Sequence, residues 1–86
     1  MFVWLTPYFP RHLFLQREDE KDWDYVLRSH TISQKLQGMG IYLIIDAFSK
    51  TGELRIHTHK CISRRLIREA IREVSTVCRF FADKTV

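Results

Sequence analysis

Ile41-Tyr42-Leu43-Ile44-Ile45-Asp46-Ala47-Phe48, then Ser49-Lys50-Thr51-Gly52, then Glu53-Leu54-Arg55-Ile56-His57-Thr58-His59: the reading of this stretch decides the fold. The first run is β-branched and aromatic and of strand length, and it reads as a central, largely buried strand. Ser49 to Gly52 supplies turn chemistry, with Gly52 free to adopt the positive φ of a short hairpin loop. The last run alternates strictly, as a half-buried strand does. The three together predict a β-hairpin over 41–59.

Because a slip of one residue moves every side chain to the other face, the pattern selects a register. It sets Ala47 opposite Leu54, Ile45 opposite Ile56 and Leu43 opposite Thr58. One face is then core. The other carries Tyr42, Ile44, Asp46 and Phe48 beside Arg55, His57 and His59, with Asp46 and Arg55 as a cross-strand pair.

From about Cys61 the apolar period changes from two to nearly four. Ile62, Leu66, Ala70, Ile71, Val74, Val77, Cys78 and Phe81 fall on one stripe of a long helix. Arg64, Arg65, Arg68, Arg72 and Arg79 gather on the side away from it, with Glu69 and Glu73 along one border. Arg64, Arg68 and Arg72 form an i, i+4 row of like charges, which costs an isolated helix a few tenths of a kcal/mol per pair. Either the row is a solvated face relieved by the two glutamates, or an anionic partner sits on it.

Working outward toward the N-terminus, Gly38 and Gly40 end a preceding helix. Arg17-Glu18-Asp19-Glu20-Lys21-Asp22 is a charge run without Gly, Asn or Pro, suited to the acidic first turn of that helix, so 19–37 is predicted helical. Trp23, Val26, Leu27 and His30 share one of its faces. The alternation of Trp23, Tyr25 and Leu27 also fits a strand, and Thr31-Ile32-Ser33-Gln34 has the form of a capping box, so a break near Ser29 to Thr31 is the competing reading. Met1 to Leu5 reads as a strand. It has no basic leader and is too short to span a bilayer, so it is read as neither a signal peptide nor a membrane span. Pro7-Tyr8-Phe9-Pro10 is a turn, and Arg11-His12-Leu13-Phe14-Leu15-Gln16 a second short strand.

The expected architecture is a single domain over 1–86 of α+β class. It is a small two-layer domain in which an antiparallel sheet (the hairpin 41–59 plus the N-terminal strands) is packed by a long C-terminal helix and a shorter helix. A chain of 86 residues buries only about 60% of its unfolded surface, so packing must be good or a dimer must form. With 45% apolar and 28% charged residues, the composition is globular. Charge is uneven. Residues 17–24 hold five acids against two bases, whereas 55–79 hold seven bases against two acids, a local +5 beside a whole-chain +4. That asymmetry points to an anionic partner for the C-terminal half.

His57, His59 and Cys61 have a metal-like spacing, but Cys78 lies seventeen residues along the helix, about 25 Å from Cys61 at 1.5 Å per residue, and cannot join them. No metal and no cofactor are assigned. The same distance rules out a disulfide between the two cysteines, and two unpaired thiols fit a reducing compartment, the cytoplasm of a cell. His57 and His59 as acid and base, with Arg64 or Arg65 against a phosphorane, would describe a metal-independent ribonuclease. No nucleophile signature, phosphate loop or carboxylate pair supports an enzyme, so the chain is read as a binding protein.

Binding of nucleic acid uses the most residues. Arg64, Arg65, Arg68, Arg72 and Arg79 would hold phosphates, Arg55, His57, His59 and Lys60 would extend the surface, and Tyr42 and Phe48 would stack on bases. Arg64-Arg65-Leu66-Ile67-Arg68, opening the last helix after a helix and a hairpin, resembles the second half of a double-stranded-RNA-binding domain, whose last helix opens Lys-Lys-x-Ala-Lys. The resemblance covers three charged positions; Ile67 stands where that family has a small residue, and the N-terminal strands have no counterpart in it. No DNA-reading motif is visible, so RNA is the expected ligand. The expectation is a small RNA-binding protein of the kind a phage or virus encodes to regulate or inhibit a ribonucleoprotein in the host cytoplasm, able to form a homodimer and with no membrane partner. The alternative is a protein-interaction module or inhibitor that sets its arginine face against an acidic protein, with Trp4, Tyr8 and Phe9 as anchors.

Overall fold

A computed structural model describes residues 3–4, 8–44, 55–58 and 62–83, with the backbone alone at 3, 4, 44 and 55. The order is β1 (Val3–Trp4), a 3₁₀ turn (Arg11–Leu13), α1 (Asp22–Gly38), β2 (Ile41–Ile44), β3 (Arg55–Thr58) and α2 (Arg64–Asp83). The α+β class, the long C-terminal helix and the shorter helix packed with an antiparallel sheet are as the sequence leads one to expect.

The sheet itself departs from expectation in two ways. Its order is β1-β3-β2, so β3 is the middle strand and β2, expected at the centre, lies at an edge. The register is two residues away from the expected one: Leu43 faces Ile56, and Thr58 faces Ile41 on one side and Val3 on the other. A shift of two keeps every side chain on its face, so apolar alternation is blind to it. A specific contact favours the observed pairing, because the buried Thr58 hydroxyl donates to the Gly40 carbonyl at 2.9 Å. Gly40 has φ +81°, a backbone state open to glycine at little cost, and its N–H closes on the Gln37 carbonyl at 3.0 Å as the chain turns from α1 into β2. The turn at 49–52, the pair Ala47 with Leu54 and the pair Asp46 with Arg55 lie outside the described residues.

Helix α1 runs unbroken from Asp22 to Gly38, so neither the strand alternative nor the break at Ser29 to Thr31 is realised. The Thr31 hydroxyl, instead of capping a new helix, donates to the Leu27 carbonyl one turn back at 2.9 Å. The helix starts at Asp22 and not near 19 because Glu20 is drawn inward. Its carboxylate receives the Arg28 Nε and an η nitrogen, each at 2.9 Å, and Arg28 is itself 3% exposed. This arginine also donates to the carbonyls of Leu13 at 2.7 Å and Leu15 at 2.9 Å, while the Tyr25 hydroxyl takes that of Phe14 at 2.7 Å.

Those three carbonyls explain why 11–16 is not the expected strand. A strand would offer them to a neighbouring strand; here side chains of α1 hold them, and the backbone winds into the 3₁₀ turn and a second turn closed by Phe14 N–H on the Arg11 carbonyl at 3.0 Å. Phe14 and Phe9 then point inward and meet edge to face at 5.9 Å. They join Ile32 and Leu36 of α1, Ile41 and Ile56 of the sheet, and Ala70, Val74 and Val77 of α2 in one core.

Helix α2 begins after Ser63, whose hydroxyl accepts the Leu66 N–H at 3.1 Å. Its apolar stripe packs as expected, except that Ile67 and not Leu66 meets the core near the helix start.

Candidate nucleic-acid interface

Ala70, Val74 and Val77 fix the rotation of α2 by entering the core, and at about 100° per residue the arginines must then face outward. Arg64, Arg65, Arg68, Arg72 and Arg79 are all exposed. From Arg64 to Arg79 the row spans about 22 Å at 1.5 Å per residue, the length of about six phosphates along a stacked strand.

The bordering glutamates do little to neutralise it. Glu69 lies 3.6 Å from Arg65, and Glu73 lies 3.7 Å from Lys35 on α1. Among the described residues no carboxylate comes within 4.0 Å of Arg64, Arg68, Arg72 or Arg79. Exposed pairs of this kind are in any case worth less than about 1 kcal/mol.

The sheet residues assigned to the same surface are placed differently. Tyr42 and His57 are register partners and their rings stack at 5.7 Å with 27° between planes. Their face of the sheet is opposite that of Ile41 and Ile56, which pack toward the helices. The arginine row lies on the outer side of the helix layer, so it and the Tyr42–His57 face look outward from opposite layers. His57, in the middle strand, is only 8% exposed, whereas Tyr42 is 36% exposed at the sheet edge. The side chain of Arg55 and the positions of Phe48, His59, Lys60 and Cys61 are outside the described residues. Among the described residues no group of three His, Cys, Asp or Glu side chains could hold a metal ion, and Cys78 is a free thiol.

Two features were not legible in the sequence. The face of α1 shared by Trp23, Val26 and Leu27 is the exposed one, with these side chains at 71%, 50% and 41%. The inward face of α1 is set by Arg28, Ile32 and Leu36 instead. The second feature is a cleft of about 480 Å³ between the 3₁₀ turn and the C-terminal half of α2, lined among others by His12, Arg17, Arg28, Ser75, Cys78 and Arg79. Only the position of Arg79 on the arginine stripe hinted at it, since His12 and Arg17 are far away in sequence.

The Glu20–Arg28 pair beneath that cleft is ionised. Burial by itself would raise the Glu20 pKa, but the Arg28 hydrogen bond, the Arg17 N–H and both positive charges together hold it below the ordinary carboxylate value. Burial likewise pulls the Arg28 pKa down, and Glu20 more than reverses the effect.

Among the described residues no helix is long and apolar enough to cross a membrane. Comparison with protein-family models, with characterised proteins and with solved structures finds no match, so the functional reading rests on this geometry alone.

Proposed function

We propose that this chain is a small, non-enzymatic RNA-binding protein that holds the phosphate backbone along the outer face of α2. The observation that carries the reading is the row Arg64, Arg68, Arg72 and Arg79, exposed and without a carboxylate within 4.0 Å among the described residues. Like charges one helical turn apart repel, and a polyanion relieves that repulsion while taking forked hydrogen bonds from each guanidinium. Binding rather than catalysis is favoured because His57, one half of the acid–base pair a ribonuclease would need, is only 8% exposed and stacks on Tyr42. In this reading the sheet face is a lesser contributor than the helix. The biological role would be that of a regulator or inhibitor of a ribonucleoprotein, of the phage or viral kind, acting in the cytoplasm.

The test is equilibrium binding of a labelled RNA at several salt concentrations. Affinity falls with a slope in log–log form of about 0.7 to 0.9 per phosphate neutralised, and Arg64→Ala with Arg68→Ala weakens all sequences alike and lowers the slope by about 1.5. No complex at low salt, with protein free of nucleic acid, refutes the reading.

The exposed Trp23, Val26 and Leu27 favour a second reading, a protein-interaction module. Of its expected anchors, Tyr8 is 62% exposed and available, but Phe9 is 4% exposed and belongs to the core, and the side chain of Trp4 is outside the described residues.

A further inference from the structure

The cleft between the 3₁₀ turn and α2 is fastened by bonds at its base, and its rim carries the guanidiniums of Arg17 and Arg79. Arg28, at its base, is saturated: its nitrogens are taken by Glu20 and by the carbonyls of Leu13 and Leu15, with the Cys78 sulfur at 3.4 Å. The Cys78 thiol donates in turn to the Leu13 carbonyl at 3.2 Å, which fastens the turn to α2. The rim is different. Arg17 has a buried Nε with no hydrogen-bond acceptor. Its nearest acids are Asp19 at 3.7 Å, which is 83% exposed, and Glu20 at 3.9 Å, whose two oxygens already serve Arg28. Arg79 is exposed and has no carboxylate within 4.0 Å among the described residues, and His12 and Ser75 also line the cleft. Among the described residues no Asp or Glu lines the cleft itself, and the acids nearest its rim are the Asp19 and Glu20 partners of Arg17.

We infer that this cleft binds a phosphate monoester. A hollow lined by Arg17, Arg79, His12 and Ser75 suits a compact, multiply charged oxyanion that competes with Asp19 for Arg17, and a monoester carries about 1.5 to 2 negative charges where a backbone diester carries one. A volume of about 480 Å³ falls in the range of small-molecule sites. The site stands on its own geometry. Its use to hold the phosphorylated end of a strand, with the rest of the strand running along the row that Arg79 terminates, rests on the RNA reading.

The experiment titrates isotope-labelled full chain with AMP and with adenosine, following amide shifts. AMP should shift His12, Arg17, Ser75 and Arg79, while adenosine leaves them unmoved. Arg79→Ala and His12→Asn, both at exposed positions and checked for wild-type circular dichroism, should each weaken AMP by about tenfold, the loss expected for one charge-assisted hydrogen bond. Equal responses to AMP and adenosine, or AMP affinity unchanged in both variants, overturns the proposal. A parallel arm compares 5′-phosphorylated and 5′-hydroxyl RNA. Tighter binding of the phosphorylated strand assigns the site to strand ends, and equal binding alongside specific AMP binding assigns it to free nucleotides. RNA binding without an AMP response sinks the cleft alone; an AMP response without RNA binding sinks the helix reading alone.

Discussion

Replacing Arg28 with Met is the perturbation from which the fold's interior organisation can best be tested. Arg28 is 3% and Glu20 5% exposed, and removing the arginine strands a buried carboxylate together with the carbonyls of Leu13 and Leu15. Breaking a buried pair from one side costs about 3–5 kcal/mol, because the remaining charge has no water to turn to. For a small domain whose total stability is of order 5–15 kcal/mol, that is a large share. At about 4–8 °C per kcal/mol for a domain of this size, the melting temperature should fall by at least about 12 °C. Urea denaturation of wild type, Arg28→Met, Glu20→Gln and the double variant measures it, and the double variant should lie closer to wild type than the sum of the singles predicts. The pH dependence provides a second reading of the same pair. Since the folded-state pKa of Glu20 is depressed, its contribution is fully present above the unfolded-state value, about 4.3, and is lost as pH falls through the lower folded-state value. Wild type should therefore lose stability below about pH 5 more steeply than Glu20→Gln. A loss below about 1 kcal/mol for Arg28→Met, or identical acid limbs, would refute the reasoning.

Two further outcomes follow from placement in the fold. Trp23→Ala should change stability by less than about 0.5 kcal/mol whereas Leu36→Ala costs about 2–5 kcal/mol, as read by the same denaturation, because the first side chain is 71% exposed and the second fully buried. Gly40→Ala should cost about 1–2 kcal/mol by urea denaturation through its φ of +81° alone, since nothing lies within 4 Å of the added Cβ; a neutral result would mean that the turn from α1 into β2 is not held in this conformation.

The two α1 faces show where pattern reading is weak. Trp23, Val26, Leu27 and His30 make as good a helical stripe as Tyr25, Arg28, Ile32 and Leu36, and an apolar count prefers the former. What decides between them is that Arg28 gains a carboxylate and two carbonyls on the inside, a set of partners drawn from residues 13 to 20 that comes together only when the chain folds. The same event ends the strand expectation for 11–16, by giving its carbonyls to side chains.

By itself the sequence determined the helix α2, its buried stripe and the outward arginines, because a period of 3.6 over twenty residues leaves one rotation that buries Ala70, Val74 and Val77. It also determined which faces of β2 and β3 are alike, since alternation has a period of two. Only the tertiary structure decided the register, the central place of β3, the burial of His57, the outward turn of Trp23 and the cleft that joins His12 and Arg17 to Arg79. Each of these depends on contacts between distant residues, which local periodicity leaves degenerate and which hydrogen bonds such as Thr58 to Gly40 and Arg28 to Glu20 resolve.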